Sequence, residues 1–332
     1  MSISQNFPST RPSLNLNFAR SKTLDPRITF TRTSSATYVD EDGLIKTAPA
    51  NAPRFDHDPV TGECLGLLIE ESRSNLVTDS ITLDNFPDKT NITVQDNAII
   101  SPDGTQNAGK IIETSNTGGH GLSRLNVVTT QNTTYTISGY FKKGERKYVG
   151  ISFRNVSYWG TPGGPSAVFN LETGTLDYTT GVVSNPTITS MGNGWYRCSV
   201  SATRDGSGTI TSGIAIGILN DTPTTSYQGV EGYGIYAWGL QFESGAFSTS
   251  YIPTSGSTVT RTKEYPTISG TDFTNFYNPS EGTFYVRYNI KGSFATDGFN
   301  RIFEISDGGS TNRFSALSVS YTHLTLPTKR IV

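Results

Sequence analysis

Residues 134–141, 146–153, 167–171, 194–203, 214–219 and 234–242 are short runs rich in β-branched and aromatic side chains, separated by turn-forming clusters. Many short strands at such intervals predict an all-β protein, an antiparallel β-sandwich of jelly-roll type rather than βαβ units. No helical window free of Gly and Pro carries apolar residues at i, i+3, i+4 and i+7, so helices are not expected. The nearest candidate, LGLLIEESRSNL at residues 65–76, holds its apolar residues in one block, as a buried strand does. In GYGIYAWGLQFE, one parity carries Tyr236, Trp238, Leu240 and Phe242, and the other Tyr233, Ile235, Ala237, Gly239 and Gln241. The first set is expected to face the core. Asp103-Gly104, Thr173-Gly174 and Asn193-Gly194 lie between runs and predict tight turns, where Gly takes positive φ at no steric cost.

Three sections follow along the chain. Residues 1–80, punctuated by proline, predict an irregular N-terminal arm, and residues 85–252 make one sandwich large enough for its own core. Residues 253–271 read as a polar linker. A second strand-rich unit over residues 273–318, with strands expected at 282–290 and 300–305, stops short of a closed sandwich and would leave strand edges open.

Composition narrows the function classes. A net charge of -2 over 332 residues provides no field for nucleic acid or for an anionic membrane surface. The longest apolar runs, 65–69 and 214–219, fall far below the ~18 residues that span a bilayer, so no membrane insertion is expected. Residues 1–10 are polar from the start, unlike a secretory signal. Cys64 and Cys198 are too few for a disulfide framework and read as free thiols.

Residues 319–332, VSYTHLTLPTKRIV, break the strand rhythm. They are similar to the translation of transposase-adapter DNA from short-read sequencing libraries. Adapter bases encode residues 319–328, index bases fill codons 329–331, and gtg followed by tag gives Val332 and a stop. These residues are expected to be an artefact, with the natural protein departing near Ser318 and its gene continuing. His57 and His120 then remain as the histidines to consider.

LNLNF at 14–18, LDPRITFTRTSSAT at 24–37, YVDEDGLIK at 38–46, PRFDHD at 53–58 and GLLIEESRSNL at 66–76 follow one another in an order that resembles an N-terminal module of tailed-bacteriophage tail-fibre and spike proteins. GWYRCSVSAT at 194–203, GYGIYAWGLQFESG at 232–245 and SYIPTSGSTVTR at 250–261 resemble the carbohydrate-binding-module jelly roll found beside that arm. EGTFYVRYNIKG and NRIFEISDGG are similar to the opening of a concanavalin-like or laminin-G-like lectin sandwich. The resemblance implies a virion tail component made in the host bacterial cytoplasm, a homotrimer attached to other virion tail proteins, with a cell-surface glycan as partner in host recognition. It implies no cofactor beyond a structural calcium, often carried by such jelly rolls, for which no ligands can be assigned.

No catalytic constellation and no metal set is expected. Neighbouring strand residues point to opposite faces, so Asp56, His57 and Asp58 cannot all converge, and Asp58-Pro59-Val60-Thr61-Gly62 makes an ordinary turn. His120 sits in a Gly-rich loop without an acidic neighbour. Glu70 and Glu71 beside Arg73 have the composition of a glycosidase carboxylate pair, but structural ion pairing fits their setting better. Asp40-Glu41-Asp42-Gly43 lacks the closing Glu of a calcium loop and reads as a hairpin turn. Sugar binding by a sandwich needs aromatic faces with amides or charges nearby. Tyr158 and Trp159, in the loop SYWGTPGGP, are the first candidates for such a platform. Tyr148 and Tyr227 follow, and Arg154, Asn155 and Gln228 could supply polar contacts. Trp195 and Trp238 are expected in the core. Two alternatives compete with a glycan-binding virion protein: the front part of a polysaccharide depolymerase whose catalytic domain is expected beyond Ser318, and a purely structural fibre spacer.

Overall fold

The computed structural model describes residues 12–154, 164–289, 300–308 and 313–318. Two compact units divide the chain, residues 1–285 and 286–332. The first opens with a one-turn helix, Phe18–Ser21, and six short strands: β1 (Thr29–Thr31), β2 (Ala36–Val39), β3 (Ile45–Ala48), β4 (Phe55–His57), β5 (Cys64–Leu67) and β6 (Arg73–Asn75). The sandwich follows with β7 (Asp88–Thr90), β8 (Ile92–Ile99), β9 (Ala108–Glu113), β10 (Thr117–Gly118), β11 (His120–Thr130), β12 (Thr134–Lys143), β13 (Tyr148–Arg154) and β14 (Ser166–Asn170). It continues through β15 (Thr175–Thr180), β16 (Ser184–Ser190), β17 (Trp195–Thr203), β18 (Thr209–Leu219), β19 (Tyr227–Gln228) and β20 (Gly234–Ser244), and β21 (Val259–Arg261) and β22 (Tyr265–Thr267) end the unit's strands. In the second unit β23 (Asn300–Ser306) pairs antiparallel with β24 (Arg313–Ser318). Residues 282–289, expected as a strand, belong to no regular element.

The all-β sandwich expected from the sequence is what forms. One sheet has the order β15-β14-β13-β18-β11-β7 and the other β16-β17-β12-β20-β9-β8. Ile151, Ile216, Leu122 and Phe169 from the first meet Ile137, Phe141, Val200 and Leu240 from the second in the main core. The three expected turns occur, with Gly104, Gly174 and Gly194 at positive φ. Among the described residues no helix is long and apolar enough to cross a membrane.

The parity expected for β20 is half right. Ile235 and Ala237 join the main core with Leu240 and Phe242, whereas Trp238 and Tyr236 lie in a second cluster with Tyr140, Trp195, Tyr251 and Ile45. The cause is a bulge: Ser138 faces Gln241 and Tyr140 faces Trp238, so Gly239 and Leu240 oppose Gly139 alone. An extra residue moves every later side chain to the other face. Gly239 makes the step at φ 61, and a Cβ there would sit 2.9 Å from Tyr140 Cδ2. Gly239→Ala is therefore expected to cost about 2 kcal/mol in urea unfolding, from backbone strain and crowding together. A variant as stable as the parent would remove this account.

The second cluster also corrects the picture of the arm. Ile45 and, partly buried, Val39 from the β2–β3 hairpin cover the outer face of the second sheet around Trp238. The segment expected as a linker pairs back onto the arm, β21 with β6 and β22 with β1. Between these ribbons lies a buried ion network. Glu264 Oε1 accepts from Arg32 Nη1 at 3.0 Å and from Arg54 Nε at 2.8 Å, and Glu264 Oε2 accepts from the Glu70 backbone N–H at 2.8 Å. Glu70 Oε2 pairs with Arg54 Nη2 at 2.9 Å and Arg261 Nη1 at 3.0 Å. The network thus staples the arm to residues 261–264, and Ile45 packs the arm against the sandwich around Trp238. The block at 65–69 is not a buried strand either, since Leu65 and Ile69 are exposed.

Candidate functional site

The arm covers the outer face of the second sheet around Trp238, and on the outer face of the first sheet Gly121, Ser152, Ala215 and Gly217 are partly exposed while Ser123, Gly150 and Val168 are buried. Strand alternation sends Ile151, Ile216 and Leu122 inward, so their neighbours face out. Those neighbours are small. In one cross-strand row Gly121 faces Gly217, Gly217 faces Gly150, and Gly150 faces Val168. In the next, Ser123 faces Ala215, Ala215 faces Ser152, and Ser152 faces Ser166. Tyr148, Val168 and Leu219, with Tyr178 against them, raise a small apolar bank at one end. At the other end Arg154 and Leu125 flank Gly213, and both side chains are exposed.

The glycines of this floor are not equivalent. A Cβ on Gly121 would lie 2.3 Å from the Ile216 carbonyl oxygen, and one on Gly213 1.7 Å from that of Arg124, so both are required by backbone approach. At Gly217 a Cβ would meet nothing closer than 3.8 Å. Packing leaves room for a side chain there.

The sequence candidates fall in different places. Arg154 stands at the end of this floor. Tyr148 belongs to its bank but is buried, with Asn170 Nδ2 donating to its hydroxyl at 3.3 Å, and offers no free ring face. Tyr227 is buried as well, and burial, together with its hydrogen bond to Glu113 Oε2 at 2.6 Å, raises its phenol pKa. Arg146 Nε donates to Glu113 Oε1 at 2.9 Å, and the buried His120 ring lies 4.5 Å from that of Tyr227, tilted by 32°. Burial argues against a stacking platform at Tyr148 or Tyr227, since a buried ring offers little face to a sugar. Gln228 is exposed beside that cluster, on β19, away from the floor. Asn155, Tyr158 and Trp159 lie outside the described residues, in the segment joining β13 to β14. The small-residue floor itself was missed; its signal is the repeated Gly, Ala or Ser at every second position of 121–123, 150–152 and 213–217.

The other polar motifs have structural partners. Glu70 sits in the ion network, and Glu71 pairs with Arg73. Asp58 Oδ1 accepts from the Val60 and Thr61 N–H groups, and Asp40 Oδ1 from those of Asp42 and Leu44, as turns require. Among the described residues no group of three or more His, Cys, Asp or Glu side chains is placed to hold a metal.

No protein-family model matches the chain, and no curated protein matches it. Among solved structures it is similar to that of a "putative sugar binding protein from Bacteroides thetaiotaomicron VPI-5482", at 12% identity over 52% of this chain and 94% of that one, with a TM-score of 0.25.

Proposed function

We propose that the chain is a non-catalytic surface protein that binds a glycan on the outer face of the β15-β14-β13-β18-β11-β7 sheet, as part of a tailed-bacteriophage fibre or spike. The carrying observation is Gly217, where the fold has room for a side chain and the sequence supplies none. In the next cross-strand row the partly exposed Ser152 can orient sugar hydroxyls, and the exposed Arg154 adds a charged group at the edge. Tyr158 and Trp159 are the residues proposed to stack on pyranose C–H faces. The resemblance of the arm motifs to tail-fibre and spike proteins supports a virion location and a homotrimer.

Glycan-array screening of the full chain tests this reading. Gly217→Val fills the floor with a residue suited to strands, and it should retain the parent's unfolding profile while losing about tenfold or more in affinity, at least 1.4 kcal/mol. Trp159→Ala should weaken binding too. Absence of any glycan binding would favour the structural spacer, and full binding by Gly217→Val would move the site off this face.

A further inference from the structure

The turn between β16 and β17 holds the chain's one Asn-Gly pair, Asn193-Gly194. Both residues take positive φ, 50° and 75°, and the Trp195 N–H donates to the Gly192 carbonyl oxygen at 2.9 Å, which makes residues 192–195 a type I′ turn. Asn193 and Gly194 are exposed. Among the described residues the Gly194 N–H donates to no group, and the Asn193 side chain has no hydrogen-bond partner. At Asp42-Gly43 and Asp103-Gly104, by contrast, the glycine N–H is held by the carbonyl oxygens of Asp40 and Ser101.

A second feature acts on the same peptide bond. Lys142 Nζ, from β12, donates to the Asn193 carbonyl oxygen at 2.7 Å. That carbonyl belongs to the amide whose nitrogen is Gly194. A charged donor on its oxygen draws electron density from the nitrogen and stabilises the anion left when the N–H proton departs. Gly194 also has no Cβ to obstruct the approach of the Asn193 side chain.

We propose that Asn193 is a self-modifying site, in which the Gly194 nitrogen attacks the side-chain amide and Lys142 activates that nitrogen. The Gly194 N–H gives its proton to hydroxide, the nitrogen bonds to Asn193 Cγ, and the Cγ–Nδ2 bond breaks as ammonia leaves with a proton returned from water. Water then opens the resulting cyclic imide: attack at Cγ leaves aspartate, and attack at the backbone carbonyl leaves isoaspartate, with Cβ and Cγ now in the main chain. Either product sets a carboxylate beside Lys142. The isoaspartyl product also lengthens the turn by one backbone atom, and β16 is an edge strand held on one side only, so its hydrogen exchange should quicken in aged protein. The site is independent of sugar binding, and Gly217→Val should leave it intact.

Incubation of the full-length chain in mildly alkaline buffer, followed by mass spectrometry of the peptide spanning residue 193, is the test. Conversion in the folded parent is expected to be no slower than in the urea-unfolded chain. Lys142→Met, which keeps the aliphatic stem, should slow the folded-state reaction about fivefold, as loss of one nearby charge in water implies, and should leave the rate in urea unchanged. Lys142→Arg, which keeps the charge, should retain most of the parent rate. Slower conversion in the folded parent than in urea, or equal folded-state rates for the parent and Lys142→Met, would overturn the assignment.

Discussion

Glu264→Ala is expected to be among the most destabilising single changes in the molecule, by about 3–5 kcal/mol, because it leaves two buried arginines without their shared carboxylate. The Arg32, Arg54 and Glu264 side chains are each 0% exposed. Removing a charge from such a group does not remove its partners' desolvation cost, which the lost pairing had offset. The Arg32 guanidinium already shows that cost: burial lowers its pKa, and Glu264 opposes the shift. The same side chain also accepts the Glu70 N–H, so a backbone donor is orphaned as well. A fall in melting temperature of roughly 6–15 °C follows for a unit of this size. Hydrogen exchange should rise first in β1, β6, β21 and β22, the ribbons that the network joins, and later in β12. Replacing Arg32, Arg54 and Glu264 together by apolar residues of similar volume should cost far less than Glu264→Ala alone, since no uncompensated charge remains. Loss of under 1 kcal/mol in the single variant would show that the network is not what holds the arm.

The same residues explain how much was legible in the sequence. The segments TFTRTSSAT, PRFDHD and GLLIEESRSNL, with STVTR near residue 261, supply Arg32, Arg54, Glu70 and Arg261 to the ion network centred on Glu264. A set of charges some two hundred residues apart along the chain has no local period, so its pairing could not be read from spacing. The long strands β12, β13, β17, β18 and β20 are visible because β-branched runs meet clear turns. Those before β12 are not: β11 carries a register irregularity between Leu125 and Val127 that breaks its alternation, and the arm strands are three or four residues long. β16, SNPTITS, is an edge strand with mostly exposed residues and so lacks an apolar signature. For the site, aromatic content drew attention to Tyr148 and Tyr227, which the fold buries, whereas the open floor is marked by the absence of side chains. Small residues on alternate positions signal a bulge, a close approach or a cleft equally well. Only the contrast between Gly121, which has no room for a Cβ, and Gly217, which has, separates these meanings.

Acid should loosen the arm through Glu70, the second large effect expected. Burial disfavours ionisation of this carboxyl, but Arg261 and Arg54, with hydrogen bonds from Ser250, outweigh it and hold the pKa at about 2, against an ordinary 4.5. A carboxylate whose pKa is depressed on folding contributes stability above its unfolded value and loses it as pH falls through the folded value. The window is therefore pH 4.5 down to 2, and the amount at stake is on the order of 3 kcal/mol. Glu243 acts in the opposite sense: burial raises its pKa despite donors from Gln241 and Thr249, so its ionisation costs stability as pH rises above 4.5. Between neutrality and pH 4.5 protonation of Glu243 is then mildly stabilising, and below 4.5 the loss at Glu70 dominates. Urea midpoints measured across this range should stay level or rise slightly to pH 4.5 and then fall steeply. Glu70→Gln should start lower at pH 7, because Arg54 and Arg261 lose a charged partner, and should show a much flatter fall below pH 4.5. Parallel profiles for parent and Glu70→Gln would assign the acid sensitivity to other carboxylates. A steeper fall at pH 5–7 than at pH 2–4.5 would contradict the depressed pKa itself.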